Sequence, residues 1–231
     1  MMSDTYSHTR GKLEDYFDRT ASETWARLTS DAPVSRIRQT VRAGRDRMRA
    51  VLLGHLPQQL HGRRVLDAGC GAGQMAIELA ERGAEVVAVD ISPNLLGVAR
   101  ARTPENLAHR IDYRAGDMLD EGLGVFDHVI AMDSLIHYRT HDIVTALSGL
   151  AHRTQQSIHF TTAPKTALLT VMHAVGQVFP RSDRSPAIQP VAEPRLRRAC
   201  GTEPALRRFK MPPSERVKSG FYISQAMRLV R

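Results

Sequence analysis

A run of glycines and three carboxylates are the residues in this chain whose types and spacing can do chemistry. The run is Asp67-Ala68-Gly69-Cys70-Gly71-Ala72-Gly73. Alternating glycines let a backbone turn sharply and let a ligand approach with no Cβ in the way. Asp90 stands at the tip of the next apolar run, and Asp117 just beyond the one after that. A carboxylate at the position of Asp90 accepts both hydroxyls of an adenosine ribose, as it does for NAD. One glycine turn alone means only a tight turn. The loop together with Asp90 and Asp117 at successive strand ends points to a ligand held outside the carboxyl ends of a parallel sheet.

Glycine spacing alone does not choose the ligand. Read from Gly69, the dinucleotide fingerprint requires glycine where Gln74 stands; read from Gly71, Ala76 satisfies its looser form. The acid two residues ahead of the glycines is more discriminating. Asp67 followed by G-x-G-x-G resembles the cofactor motif of the class I S-adenosylmethionine-dependent methyltransferases. That resemblance implies a cofactor site made by Asp67, Gly69, Cys70, Gly71, Gly73, Asp90, Ile91, Ser92, Asp117, Met118, Met132 and Asp133, with Asp117 against the adenine amino group. S-adenosylmethionine is the expected cofactor and S-adenosylhomocysteine its product.

These residues need a frame. Arg64–Ala68 reads as a short buried strand, and a helical pattern through Met75, Ile77 and Leu79 stops at Gly83. Glu85–Val89 is a second strand, ending at Asp90. Ser92-Pro93 opens a helix with a capping hydroxyl and then proline at the first helical position. Ile111–Ala115, Phe126–Met132 and Ser157–Thr161 are further strands, with a helix at Asp142–Leu150. Alternating strands and helices predict a doubly wound, mostly parallel α/β sheet of the Rossmann-like kind. Ala205–Met211 and Phe221–Leu229 read as two late extended segments, hence a terminal hairpin giving an antiparallel edge. The division expected is an N-terminal helical arm or lid over 1–60 and a methyltransferase domain over 61–231, with a substrate-capping segment near 164–200.

The flanks are more specific. Tyr16-Phe17-Asp18-Arg19-Thr20-Ala21, Trp25 and Val41-Arg42-Ala43-Gly44-Arg45 precede the domain. Ile136-His137-Tyr138, the Phe179–Pro186 segment and Gly220-Phe221-Tyr222-Ile223-Ser224 follow. Together they resemble the magnesium-protoporphyrin IX methyltransferase family of chlorophyll and bacteriochlorophyll biosynthesis. The resemblance implies methylation of one propionate of magnesium protoporphyrin IX to a monomethyl ester, catalytic roles for His137 and Tyr16, and an N-terminal arm that closes the site. It also implies handover from the large porphyrin-binding subunit of magnesium chelatase.

The chemistry suits the residues. A propionate is ionised at neutral pH and needs no strong base; alignment in a dry pocket supplies most of the acceleration. Arg38, Arg42, Arg45 and Arg49 share one helix face, as a solvated cationic face or as a wall for porphyrin carboxylates. His137 and Tyr16 have plain alternatives too, a satisfied loop histidine and a packed aromatic.

The chain of 231 residues carries a net charge of +8 at pH 7, which favours anionic partners. Met132-Asp133-Ser134 is not the Asn/Asp-Pro-Pro-Tyr signature of amino-methylating nucleic-acid enzymes, and no nucleic acid is expected. Cys70 and Cys200 form no ligand-spaced cluster, so both read as free thiols and no protein-bound metal is expected. No run is long enough to span a bilayer and the N-terminus lacks the apolar middle of a signal peptide. The expected location is cytoplasmic, with the apolar run Leu168–Phe179 and the basic charge suited to peripheral contact with anionic membrane. Two readings stay open beside the porphyrin one: another class I small-molecule methyltransferase, and a cofactor-holding module with a basic docking face.

Overall fold

The structure, a computed structural model, describes residues 4–19, 36–165 and 188–231. Thr20, Ala21, Trp25, the apolar run 168–179 and the 179–186 segment lie outside the described residues. Two helices open the described chain, α1 (Asp4–Arg19) and α2 (Arg36–Gly54). Then come β1 (Arg64–Ala68), α3 (Gln74–Glu81), β2 (Glu85–Asp90), α4 (Pro93–Arg102), β3 (Ile111–Ala115) and β4 (Phe126–Ala131). The chain continues through α5 (Thr140–His152), β5 (Thr154–Thr162), α6 (Glu193–Thr202), β6 (Glu215–Ser219) and β7 (Tyr222–Val230).

The strands form one seven-stranded sheet in the order β3-β2-β1-β4-β5-β7-β6. β1 to β5 run parallel, and β7 pairs antiparallel with both β5 and β6. The chain order reverses between β1 and β4, and a ligand crevice belongs at that switch point. The period of two along each strand sends alternate side chains to opposite faces. Leu66, Val87, Val89, Val129 and Ala131 join α1, α5 and α6 in one apolar cluster. Val65, Val86, Ala88 and Ile130 join α2, α3 and α4 in the other. Strands buried on both faces read as unbroken apolar runs, which is why β1, β2 and β4 were legible from sequence.

The capping prediction holds in detail. The Ser92 side chain accepts from the Leu95 amide at 3.2 Å, and Pro93 takes the first turn of α4. The terminal hairpin is present, but its first strand is not at 205–211. Pro204–Leu206 forms a short 3₁₀ turn, and of the segment after it Lys210 makes only an isolated bridge to Val230. The strand is Glu215–Ser219, whose single buried residue is Val217. An edge strand dressed in charge shows no alternating apolar signal. The N-terminal region is also less separate than an arm: α2 contributes Met48, Leu52 and Leu53 to the core.

Candidate active site

The switch point carries a cavity of about 290 Å³, at the small end for a small-molecule site. The tips of β1, β2 and β4 and the turn after β3 form its floor. Tyr6, Arg10, Leu13 and Phe17 of α1 line it from above, Val41 and Arg45 of α2 and Phe221 and Tyr222 of the hairpin from the side.

The glycine loop turns as its sequence requires. Gly69, Gly71 and Gly73 have φ of 82°, 53° and 84°. The amides of Gly69 and Cys70 both donate to Val89 O, at 2.8 and 3.0 Å, tying the loop to β2. A Cβ on Gly69 would lie 2.5 Å from that of Ser134, whereas Gly71 has no atom within 4 Å of where its Cβ would be. Gly71 therefore presents bare backbone to open cavity, the feature a nucleoside ligand needs.

Asp90 lines the cavity while its oxygens hold the loop: Oδ2 accepts from the Gly71 amide at 2.8 Å and Oδ1 from the Ser92 amide at 2.9 Å. Burial raises its pKa, and those amides oppose the shift. Ile91, Met118 and Met132 line the cavity with Asp117 and Asp133, as expected. A carboxylate at the β2 tip, an open glycine turn and apolar walls fit S-adenosylmethionine.

Other expected cofactor residues lie behind this surface. Asp67 is only 1% exposed and does not line the cavity. Burial, with the Asp90 charge nearby, pushes its carboxyl up to about 7, against a hydrogen bond from the Ala76 amide. Its carboxylate instead meets the first turn of α3, on a strand covered on both faces. Cys70 packs into the α2–α3 core, and burial raises its thiol well above the usual range. Gly73 faces Tyr113 and Ala99, and Ser92 is spent on capping α4. None of these four residues lines the cavity.

Asp117 holds a contact the sequence reading missed. Its Oδ1 accepts from the Tyr6 hydroxyl at 3.0 Å and from the Leu119 amide at 2.9 Å; its Oδ2 pairs with Arg10 at 3.4 Å. Tyr6 stacks on Tyr138, ring centroids 4.9 Å apart. Burial raises the Tyr6 hydroxyl far above the usual phenol, keeping it a neutral donor. The signal was available: Tyr6, Arg10, Leu13 and Phe17 recur at helical spacing on one face.

His137 is 9% exposed in the turn after β4 and lines the cavity as expected, with the Phe17 ring edge-on at 6.0 Å. Tyr16 does not line it: the ring is half-buried and packs edge-on to Phe17 at 5.2 Å. One residue along α1 is a turn of about 100°, which takes Tyr16 off the Tyr6–Phe17 stripe.

The arginine face divides. Arg45 lines the cavity and pairs with Asp133 at 3.4 Å. Arg38 is exposed, Arg42 is half-buried, and neither lines the cavity. Arg49 turns to Glu78 on α3 and to Asp46. Of the four arginines on this helix face, only Arg45 lines the cavity; the other lining guanidinium is Arg10 of α1. Among the described residues no group of three or more His, Cys, Asp or Glu is placed to hold a metal ion. No helix among them is long and apolar enough to cross a membrane.

Comparison with known proteins adds the family. The description "Magnesium-protoporphyrin IX methyltransferase C-terminus" matches residues 131–231, and a general methyltransferase domain matches residues 65–157. The magnesium-protoporphyrin O-methyltransferase of Rhodobacter capsulatus is 50% identical over 227 residues, covering 98% of each chain. That of a Synechocystis species is 32% identical, covering 95% of each. The crystal structure of magnesium protoporphyrin IX methyltransferase from Synechocystis with bound SAH matches with a TM-score of 0.78 at 31% identity, over 96% of this chain and 99% of that one. Half of all positions kept across almost the whole length, on a fold with the same architecture, leave one assignment: the chain belongs to the magnesium-protoporphyrin O-methyltransferase family.

Proposed function

We infer that the protein transfers a methyl group from S-adenosylmethionine to a propionate carboxylate of magnesium protoporphyrin IX, giving the monomethyl ester, as in chlorophyll and bacteriochlorophyll biosynthesis. The observation that carries this reading is 50% identity over 98% of both chains to an enzyme named for that reaction. The cavity agrees with it by joining an adenosine-type floor to a polar wall that carries Arg45 and Asp133.

When bound, S-adenosylmethionine supplies an electrophilic methyl carbon on a cationic sulfur. The chain's own residues do the rest. Asp90 and the Gly69–Gly71 backbone hold the nucleoside, and Ile91, Met118 and Met132 give it apolar walls. Arg45 receives acceptor carboxylate. His137, beyond the β4 tip, orients the reacting oxygen and takes a proton from any propionic acid. An ionised propionate has no proton to lose, so the chain's residues need only orient it toward the methyl that bound S-adenosylmethionine would supply, whose sulfur would keep the electron pair of the broken C–S bond. The fall in charge separation along that path favours a dry site, and α1 excludes water by lying over the cavity. Arg38 and Arg42 guide the acidic substrate electrostatically from outside the cavity rather than touching it.

The described residues support a lid confined to α1, within the N-terminal division at 1–60, with Ile188 of the 164–200 segment at the acceptor side. The protein works in the cytoplasm and meets its poorly soluble substrate on the large subunit of magnesium chelatase or at the photosynthetic membrane. Exposed Phe221 and Ile188 on the cavity lining and the net charge of +8 support that reading. Pull-down with the chelatase subunit and flotation with anionic vesicles at low salt test it, and retention by neither contradicts it. The reaction itself is tested by incubating protein, S-adenosylmethionine and magnesium protoporphyrin and looking for the monomethyl ester.

A further inference from the structure

We propose that Asp133 is a positioning residue for the acceptor: it sets Arg45 and the Tyr222 hydroxyl as the polar end of the acceptor half of the cavity, and it is not a cofactor contact. The inference rests on the carboxyl-methyltransferase reading above.

The first argument is direction. The cofactor acids Asp90 and Asp117 stand at the β2 tip and just beyond β3, on one side of the switch point. The hydrogen-bond and ion-pair partners of Asp133 come from the other side. Its Oδ1 accepts from Thr161 Oγ1 on β5 at 3.2 Å and from the Tyr222 hydroxyl on β7 at 3.0 Å. Its Oδ2 lies 3.4 Å from Arg45 Nη1 on α2 and 3.3 Å from the Tyr222 hydroxyl oxygen. The carboxylate is committed to β5, β7 and α2, away from the nucleoside floor.

The second argument is construction. Asp133 has φ of 55°, the one non-glycine residue at positive φ among those described. A strained backbone persists only where its surroundings over-determine it, and such positions cluster at functional sites. Here the Asp133 amide donates to Thr161 Oγ1 at 2.7 Å, which locks both backbone and carboxylate. The Tyr222 ring is seated as firmly: a Cβ on Gly44 would lie 2.6 Å from its Cδ1, and one on Gly220 would lie 2.5 Å from Thr40 Oγ1. Helix α2 therefore rests directly on the start of β7, which brings Arg45, the residue after Gly44, to the cavity.

The third argument is chemical. A bare arginine on the nucleophilic oxygen would hold its electrons and slow attack. An arginine already neutralised by Asp133 gives a carboxylate geometry without that full opposing charge. The Tyr222 phenol is held well above its usual range by burial and by Asp133, so it stays protonated and fixes the orientation of the pair. This cluster selects a carboxylate acceptor and sets its register.

Asp133→Asn, Tyr222→Phe and Arg45→Gln test the assignment in the full-length protein. Calorimetry gives S-adenosylhomocysteine affinity, absorbance titration gives magnesium protoporphyrin affinity, and steady-state rates separate KM for the porphyrin from kcat. Tyr222→Phe keeps the ring seated against Gly44 and serves if Asp133→Asn folds poorly. The expected result is a rise on the order of tenfold in porphyrin Kd and KM, with S-adenosylhomocysteine Kd within about twofold of wild type. The Asp133→Asn, Arg45→Gln double variant should lose less than the sum of the two single losses, because both act through one pair. Weakened S-adenosylhomocysteine binding with unchanged porphyrin KM overturns the proposal, as do porphyrin Kd and KM equal to wild type in folded variants. Absence of turnover in the wild-type protein would instead remove the reading on which the proposal rests.

Discussion

The Tyr6 hydroxyl donates to Asp117 Oδ1 across 3.0 Å, joining a helix outside the sheet to the acid just beyond β3. The same acid is the one expected to meet the adenine of the cofactor. Arg10 reaches its other oxygen, and Thr5, also on α1, donates to Asp142 of α5 at 2.6 Å. On the proposed function, the packing of α1 and occupancy of the nucleoside floor should be coupled through this one carboxylate. Tyr6→Phe keeps the stack on Tyr138 and removes only the donated hydrogen bond. A hydrogen bond to a charged group contributes about 1.5–3 kcal/mol. Stopped-flow displacement should therefore show S-adenosylhomocysteine leaving roughly tenfold faster or more. An unchanged release rate in Tyr6→Phe contradicts the coupling.

Asp90 holds the glycine loop, and on the proposed function it also accepts the ribose hydroxyls. Asp90→Ala releases the amides of Gly71 and Ser92 and removes the ribose acceptor together. Each charge-assisted bond contributes about 1.5–3 kcal/mol, so cofactor affinity should fall by an order of magnitude or more. The melting temperature should fall with it. Calorimetry on the folded variant checks the first effect; affinity equal to wild type would remove Asp90 from the site.

The floor was readable in sequence because its logic is local. Glycines at fixed spacing, an acid at a strand end and Ser92-Pro93 at a helix start each act within a few residues of themselves, and the structure places Gly71, Asp90, Ile91 and Asp117 on the cavity. The walls were not, because they depend on where distant elements dock. Arg45 reaches the cavity only because Gly44 lets α2 rest on Tyr222, a contact across most of the chain. Tyr16 and Phe17 are adjacent in sequence, and only the direction in which α1 packs selects Phe17 for the cavity. For Asp67 the motif names the residue, and only the fold shows that two covered sheet faces bury its side chain.

On the proposed function His137, beyond the β4 tip, should govern turnover more than cofactor binding. His137→Ala should lower kcat by roughly tenfold to a thousandfold, or about 1.4–4 kcal/mol in the barrier, with S-adenosylmethionine affinity near wild type. Tyr16→Phe should lower kcat by less, because it keeps the ring packed on Phe17 and removes only the hydroxyl. Steady-state rates with cofactor binding measured in parallel test this. A larger loss in Tyr16→Phe than in His137→Ala would mean that Tyr16 enters the cavity when α1 moves.

His159 makes stability fall in acid. It is buried on β5, with Ser157 Oγ 2.7 Å from its Nε2 and the His55 ring stacked at 5.9 Å. Burial first, then the charges of His55, His128 and Arg228, lower its pKa from 6.5 to about 3. A folded pKa below the unfolded one means the unfolded chain binds the extra proton. Its contribution is therefore intact above pH 6.5 and is lost progressively as pH falls toward 3. In thermal melts, His159→Gln should lose less melting temperature than wild type on going from about pH 7 to about pH 5. Parallel losses in the two proteins contradict the assignment.

Methyl transfer to magnesium protoporphyrin IX is the central claim, and one measurement reaches it directly. Purified protein is incubated with S-adenosylmethionine carrying a labelled methyl group and magnesium protoporphyrin, and the pigment is analysed by liquid chromatography and mass spectrometry. The account predicts one labelled methyl per porphyrin, as a propionate ester that mild alkali removes, with no second methylation. A folded protein that binds S-adenosylhomocysteine yet leaves the porphyrin unlabelled would contradict it.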